Sequence, residues 1–235
     1  DGFKQEMIWV FLALIFQGTF VVMYTTALTD FYHDHFNFLS WNLEKSLPEW
    51  QRFAIGALLG DFLAWFQHWL KHKVPWFWQF HAVHHSQKQL NALSDYRFHY
   101  MEYLISRPIV YLPLMMLGVE SAKIAVWGLL TAWQIRFYHA NIRFDMGVLK
   151  YIFVSPQSHR VHHSLEKKHV DQNFGVIFSF WDRLFNTQYK QYDEYPETGI
   201  HDDHFPLSNP IQQLIYPFMA IARSFQAKSE ITQKP

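Results

Sequence analysis

The sequence predicts an all-α, integral membrane protein with about four transmembrane helices and a histidine-rich helical cap on the cytoplasmic side. Long segments almost without charge suit helices that cross a bilayer. Aromatic residues make up 19% of the chain, charged residues only 17%, and histidines number 15. Many of those histidines recur at helical spacing near the ends of apolar segments. These observations together predict a helical bundle with a polar cap.

The overall composition limits the class of protein. With 235 residues and no visible second unit, we predict a single domain over 1–235. The chain has no cysteine, so any bound metal must take nitrogen or oxygen ligands. Lys plus Arg and Asp plus Glu number 20 each, so there is no net charge to attract nucleic acid. We therefore expect no nucleic-acid partner.

The first predicted span covers 7–29, which contains no charged residue and is long enough to cross the hydrocarbon layer. Asp30 follows it, where a signal peptide would have a small-residue cleavage site. We therefore expect an uncleaved span. The chain does not begin with methionine, so residues upstream are a possibility that the sequence leaves open.

Three further spans are predicted at 51–72, 101–118 and 121–140. Asp61 interrupts the second, and each of the last two contains one basic residue that can reach the interface with its long side chain. A later segment, 211–225, repeats apolar residues at helical spacing around Pro217. It is expected either to lie on the membrane surface or to cover the cap.

Alternating spans place the predicted cap, 73–100 and 141–235, on one side of the membrane. Most lysines and arginines between the spans fall on that side, which the positive-inside rule assigns to the cytoplasm. All the histidines except His33 and His35 lie there too. We therefore exclude His33 and His35 from any shared metal site.

The histidines form three groups at helical spacing, so that the imidazoles of a group share one face. Ser155 and Pro156 predict an N-cap and first helical position just before the last group. Asp61 lies on the stripe of the first group and is expected to accept the second N–H of a ligating imidazole. The groups are His68 with His72, then His81, His84 and His85, and then His159, His162 and His163.

His139 ends the fourth span and is predicted to be a ninth ligand, with Asn141 beside it. His99, near Glu102, is expected to support the site without touching the metal. The remaining histidines of the cap have no such spacing and are interpreted as ordinary: His169, His201 and His204.

Nine histidines exceed what one metal can bind while leaving room for a reactant, so two metals are predicted. Imidazole suits iron, zinc or copper, and the spacing does not choose among them. A membrane metal transporter would place its ligands near the bilayer midplane. A metal-assisted hydrolase would mix carboxylates with histidines. Both alternatives remain open, although the clustering at one face favours an enzyme.

The histidine groups resemble those of the fatty acid hydroxylase/sterol desaturase superfamily. The resemblance rests on HWLKH at 68–72, HAVHH at 81–85 and HRVHH at 159–163. It extends over about 55–190, through RFHYME, FYHAN, DQNFG and WDRLFNT. Carried over to this chain, it implies that the eight histidines of the three motifs, with His139, bind iron.

The resemblance also implies a function. Members are four-span membrane enzymes with a cytoplasmic di-iron centre, which use O2 as co-substrate to hydroxylate or desaturate sterols, fatty acids, carotenoids or ether lipids. The HxxxH spacing of the first motif inclines toward the sterol-desaturase and ether-lipid branches. No cytochrome b5-like segment is visible, so the electrons are expected from a separate protein of cytochrome b5 or ferredoxin type.

Overall fold

The computed structural model describes residues 2–41, 46–119 and 121–232, so that positions 233–235 of the predicted cap lie outside the described residues. The all-α prediction is confirmed, since the described residues contain no strand beyond two isolated bridges. The α-helices are α1 Gly2–Ile15, α2 Val22–His35, α3 Glu49–Lys73, α4 Pro75–His85, α5 Tyr100–Met116, α6 Ser121–His139, α7 Pro156–His162, α8 Phe180–Leu184 and α9 Pro210–Thr232.

The first two helices are joined without a break through a π-helical segment, Phe16–Val21. Lys4–His35 is the one helix in the described ranges that is long and apolar enough to cross a membrane. It contains the predicted span 7–29. Its outward side chains are apolar, as shown by Phe11 and Met23, which are 63% and 70% exposed. An apolar outer surface of this kind suits a lipid environment.

Helix α3 packs against α5 and α6, and these three helices contain or overlap the other predicted spans. Gly60 permits close approach of α6, because a Cβ there would lie 3.3 Å from Nε1 of Trp127. Between α3 and α4 the chain turns at Val74, which is extended, and Pro75 occupies the first helical position. This turn folds α4 back onto α3, so that their histidines face one another.

The chain between α6 and α9 is mostly irregular and is held by buried carboxylates. Asp182 accepts hydrogen bonds from the backbone N–H groups of Phe174 and Gly175, both at 2.8 Å. Gly175 tolerates no side chain, since a Cβ would lie 2.8 Å from Cγ2 of Val154. The neighbouring Asn173 has a φ of 59°, a left-handed conformation that asparagine adopts more readily than most residues. The loop therefore has one well-defined path beside the histidines.

Helix α9 contains the predicted helical segment 211–225 and continues through Pro217. It packs on α4 and α1, where Nε1 of Trp9 donates to Oε1 of Gln213 at 3.2 Å. Tyr216 joins Trp9, Val83 and Phe205 in a buried apolar cluster. Helix α9 thus covers the side of α4 that faces away from α3.

Candidate metal centre

The structure brings all nine predicted ligands together in two groups. In each group one nitrogen per histidine lies within 4.8 Å of the others. The groups contain no carboxylate ligand and no histidine beyond the nine predicted. Group one is His68, His72, His81, His85 and His162, and group two is His84, His139, His159 and His163.

Helical spacing explains how the sequence divides the ligands. Residues four apart on one helix lie on the same face and enter the same group, as His68 and His72 do on α3. In each HxxHH motif the first and last histidines share a group and the middle one joins the other. Ser155 accepts from the N–H of Ser158 at 3.1 Å, which confirms the predicted N-cap of α7. Both motifs therefore connect the two groups.

Four of the nine imidazoles donate Nδ1–H to a backbone carbonyl oxygen. A carbonyl can only accept, so Nδ1 holds the proton and Nε2 presents a lone pair. This arrangement also fixes the orientation of the ring, as partners of metal-bound histidines commonly do. The pairs are His68 with Phe174 (3.0 Å), His84 with Arg97 (3.0 Å), His139 with Ile135 (2.8 Å) and His162 with Gln172 (2.9 Å).

In group two the lone pairs converge. Nε2 of His84 and Nε2 of His139 lie 3.1 Å apart, although neither has a proton to share. Nε2 of His159 lies 3.0 Å from Nε2 of both His139 and His163. Two nitrogens about 2.1 Å from one metal and at right angles would be about 3.0 Å apart. A bound cation would turn this repulsive arrangement into a favourable one.

Group one also contains ring nitrogens that a bound cation would stabilise. The Nε2 atoms of four of its members are buried and have no hydrogen-bond partner, and an unsatisfied buried polar atom costs about 1–3 kcal/mol. A metal ion would satisfy them together. The donor set of both groups therefore fits metals that accept neutral nitrogen ligands. The four are His72, His81, His85 and His162.

Burial keeps the ligands of the cap neutral. It lowers the pKa of His84 to about 4 and that of His162 to about 3, in each case chiefly because the charged form loses its hydration. Burial is also the largest cause that lowers the pKa of His81, His85 and His159 well below the ordinary value. At neutral pH these imidazoles hold a free lone pair, which is the form that binds metal.

Glu102 supports the site and was not among its predicted members. Its Oε2 accepts from Nδ1 of His81 at 2.7 Å and from Nζ of Lys71 at 2.9 Å, and the residue is buried. The carboxylate therefore orients His81 and raises its basicity. The sequence placed Glu102 beside His99, but the contact with His81 spans 21 residues. The sequence offered one signal for this role, because Glu102 lies in the first turn of the helix that follows the HAVHH motif.

The predicted role of Asp61 is corrected. Its carboxylate bonds no imidazole and instead accepts from the backbone N–H of Ile177 at 2.9 Å and of Phe178 at 3.1 Å. It also accepts from Nε1 of Trp181 at 2.9 Å. His68, seven residues further along α3, donates instead to the carbonyl oxygen of Phe174 in this loop. Asp61 therefore acts on His68 indirectly, because it anchors the loop that orients the imidazole.

Asn141 and His99 also act at a distance from the ligands. The exposed Asn141 accepts from Arg160 and from the hydroxyl of Tyr195, which places it on the surface of the cap. The predicted place of Asn141 beside the ligands is therefore corrected. His99 caps α5, where Nδ1 accepts from the N–H of Met101 at 3.2 Å, and Nε2 donates to Leu214 O on α9. Its supporting role is structural.

The other histidines lie outside both groups. His33 and His35 are exposed at the end of α2. His169 is buried, and its two ring nitrogens bond Ser164 at 2.8 Å and Glu194 at 3.0 Å. Glu166, His169 and Glu194 could hold a cation by distance, but Nζ of Lys168 already lies 2.6 Å from Glu194. His169 therefore has a structural environment, and His201 and His204 are exposed.

A cavity of about 310 Å³ opens beside the two groups, between α3, α5 and α6. This volume is in the range of small-molecule sites. The aromatic side chains that line it are Phe98, Tyr103, Tyr111 and Tyr138. The histidines on its wall are His68, His81, His84, His139 and His159.

Comparison with known proteins gives a consistent result. The profile of the fatty acid hydroxylase family matches residues 53–187, which include every ligand candidate. The chain is 31% identical over 156 residues to ornithine lipid hydroxylase of Rhizobium tropici, a match that covers 66% of this chain and 45% of that protein. No solved structure matches the chain.

Two further relatives have related names. Alkylglycerol monooxygenase of Caenorhabditis elegans is 25% identical over 178 residues, which cover 68% of this chain and 31% of that protein. Human cholesterol 25-hydroxylase is 26% identical over 128 residues, which cover 54% of this chain and 46% of that protein. The chain thus spans less than half the length of each of these curated relatives.

Proposed function

The chain belongs to the fatty acid hydroxylase family, and we propose that it is a membrane di-iron enzyme that uses O2 to oxidise a C–H bond of a lipid. The observation that carries the proposal is the convergence of nine histidine nitrogens, eight of them from buried residues, in two groups beside one cavity. The names of the relatives, which are hydroxylases and monooxygenases of lipids, support the reaction class.

Two iron ions bound by the two groups would supply the redox chemistry that activates O2. The protein residues supply geometry. Carbonyl oxygens and Glu102 hold five of the imidazoles in the tautomer that presents Nε2 to the metal. The loop anchored by Asp61 and Asp182 closes the site on the side of His68. The cavity would admit the substrate to the histidines that line it, beside apolar side chains such as Val110 and Ile135.

The membrane arrangement is part of the proposal. We place four spans in the bilayer, with α1 and α2 as one span and α3, α5 and α6 as the others. The histidine groups would then lie on the cytoplasmic side. Electrons would come from a separate donor of cytochrome b5 or ferredoxin type.

Hydrolysis and metal transport are less well supported. A di-metal hydrolase usually has carboxylates that bind the metal directly, and neither histidine group contains one. Glu102 bonds Nδ1 of His81, the ring nitrogen that faces away from the metal position. A transporter needs ligands that can release the metal along a path, but eight of these nine residues are buried, and five are held through Nδ1 by a backbone carbonyl or by Glu102.

The proposal is tested by O2 consumption and lipid mass spectrometry. Purified iron-loaded protein, supplied with a reductant and a membrane lipid extract, is expected to consume O2 and produce a lipid 16 Da heavier or 2 Da lighter. The His84→Ala variant should do neither. Iron-loaded protein that leaves both O2 and the lipids unchanged would exclude the oxygenase function.

A further inference from the structure

Among the described residues that line the cavity beside the metal groups, one charged side chain has no partner of opposite charge. Lys71 pairs with Glu102 at 2.9 Å, and Asp95 lies 3.7 Å from Arg136. Arg107, on the same wall, pairs with no carboxylate among the described residues. It is half-buried in the middle of α5, where an unbalanced charge is expensive.

The surroundings of Arg107 hold its guanidinium in place without neutralising it. Tyr103 and Tyr111 are four residues before and after it, and their ring centroids lie 5.3 Å and 4.8 Å from its Cζ. Nη1 donates to the hydroxyl of Tyr111. Because a neutral hydroxyl removes no charge, the guanidinium keeps donors for an anionic partner.

The polar groups next to Arg107 on the same wall are neutral. Oγ of Ser106 donates to Oε1 of Gln67 at 2.8 Å, next to Arg107 along α5. A purely hydrocarbon substrate would bury these groups and the guanidinium against methylene groups, with a loss of hydration and no compensating hydrogen bond. A substrate with an anionic group would compensate the guanidinium through a charge-assisted bond.

We infer that Arg107 is a specificity-determining residue, which binds a carboxylate or phosphate of the lipid substrate while another part of the substrate lies at the histidines. Glu102 and Arg107 are five residues apart on α5, which is a rise of about 7.5 Å. The anionic group and the metal-facing part of the lipid therefore occupy one cavity. This inference rests on the proposed function, because the bound lipid is a substrate only if the protein oxidises it. The binding itself does not require oxidation.

The test measures equilibrium binding to iron-loaded protein in dodecyl maltoside. The probes share one oleoyl chain and differ in the headgroup: oleate has a carboxylate, oleoyl lysophosphatidic acid a phosphate, and monoolein no charge. The wild type is expected to bind at least one anionic probe about tenfold more tightly than monoolein, as one charge-assisted bond allows. The anionic probe that is preferred distinguishes carboxylate from phosphate.

Arg107→Gln is expected to reduce this preference to less than about twofold, and Arg107→Lys to retain part of it, because the charge persists without the planar fork. Arg143→Gln, which removes an exposed arginine of the cap, is the matched control and should leave the preference unchanged. Iron content is measured on every sample to show that the site is intact.

A wild type without preference, or a preference that survives in Arg107→Gln, would overturn the inference. The result is separable from the proposed function. Protein that oxidises a lipid but prefers no anionic probe contradicts only the role of Arg107. Protein that binds anionic probes through Arg107 but consumes no O2 contradicts only the oxygenase.

Discussion

Ring orientation at the metal site depends on the second nitrogen of each imidazole. His81 is the ligand candidate whose Nδ1 bonds a carboxylate, that of Glu102, while four others bond backbone carbonyls. A backbone carbonyl persists through any substitution of its residue, but a side-chain carboxylate does not. Glu102 is therefore the point at which the support of a ligand can be removed without touching the ligand.

Glu102→Gln is expected to lower iron affinity by about 10- to 100-fold, the usual effect of losing the partner of a metal-bound histidine. The amide oxygen still accepts from Nδ1 of His81, but the negative charge that balances Lys71 is lost. Titration of the metal-free protein with Fe2+ under anaerobic conditions measures the effect. An affinity equal to that of the wild type would contradict the role of Glu102.

Loss of a ligand should have a larger effect than loss of its partner. His162→Ala removes one of the five nitrogens of group one, and we expect iron content to fall from about two ions per chain to about one or fewer. His33→Ala, which changes an exposed histidine outside both groups, is the control and should keep two. Equal iron content in both variants would mean that His162 is not a ligand.

At the scale of elements, the site depends on a loop as much as on helices. Helices α3, α4, α6 and α7 present the histidines, and their spacing was readable from the sequence because helical periodicity is local. The loop near Phe174 accepts from His68 over 106 residues. Asp61 reaches the same loop from α3. Contacts at such separations depend on packing, which no local pattern encodes.

Asp61→Asn is expected to lower the free energy of unfolding by about 1–3 kcal/mol, because one carboxylate oxygen that accepts hydrogen bonds becomes an NH2 group that cannot accept. The effect should appear as a lower Tm, with the iron affinity changed less than in Glu102→Gln. Thermal unfolding followed by circular dichroism measures it. The exposed Asp203 provides the control, and a Tm equal to that of Asp203→Asn would contradict the anchoring role.

The sequence predicted which histidines come together better than it predicted their environment. The nine histidines, the cap of α7 and the helical class were all readable from spacing and composition. The partners of Asp61 and Asn141 were wrong because proximity in sequence was taken for proximity in space. The sequence could not predict the pairing of His81 with Glu102 or the position of Arg107 in the cavity, because both depend on how the helices pack together.

At the scale of the whole molecule, burial of neutral histidines couples stability to pH. In the cap, burial lowers the pKa values of His84 and His162 from 6.5 to about 4 and about 3, and it lowers those of His81, His85, His159 and His163 well below 6.5. Below pH 6.5 the unfolded chain binds protons that the folded chain excludes. Stability is therefore full above pH 6.5 and falls as pH decreases.

Metal-free protein is expected to have a lower Tm at pH 5.5 than at pH 7.5. Each such histidine lowers the free energy of unfolding by up to about 1.4 kcal/mol for each pH unit below its unfolded pKa. Asp95 and Asp182 oppose this trend in the cap, because burial raises the pKa of both carboxyls, that of Asp95 to about 6, but they are two groups against six. Differential scanning fluorimetry at the two pH values measures the change. A Tm that is constant or higher at pH 5.5 would contradict neutral burial of the histidines.

The central claim is that nine histidines of one chain hold two metal ions. The most direct measurement combines metal content with the metal-to-nitrogen shell seen by X-ray absorption on the purified protein. Two iron ions per chain, with nitrogen or oxygen neighbours at about 2.1 Å and imidazole scattering, is the predicted result. A single metal per chain, or two metals without imidazole scattering, would contradict it.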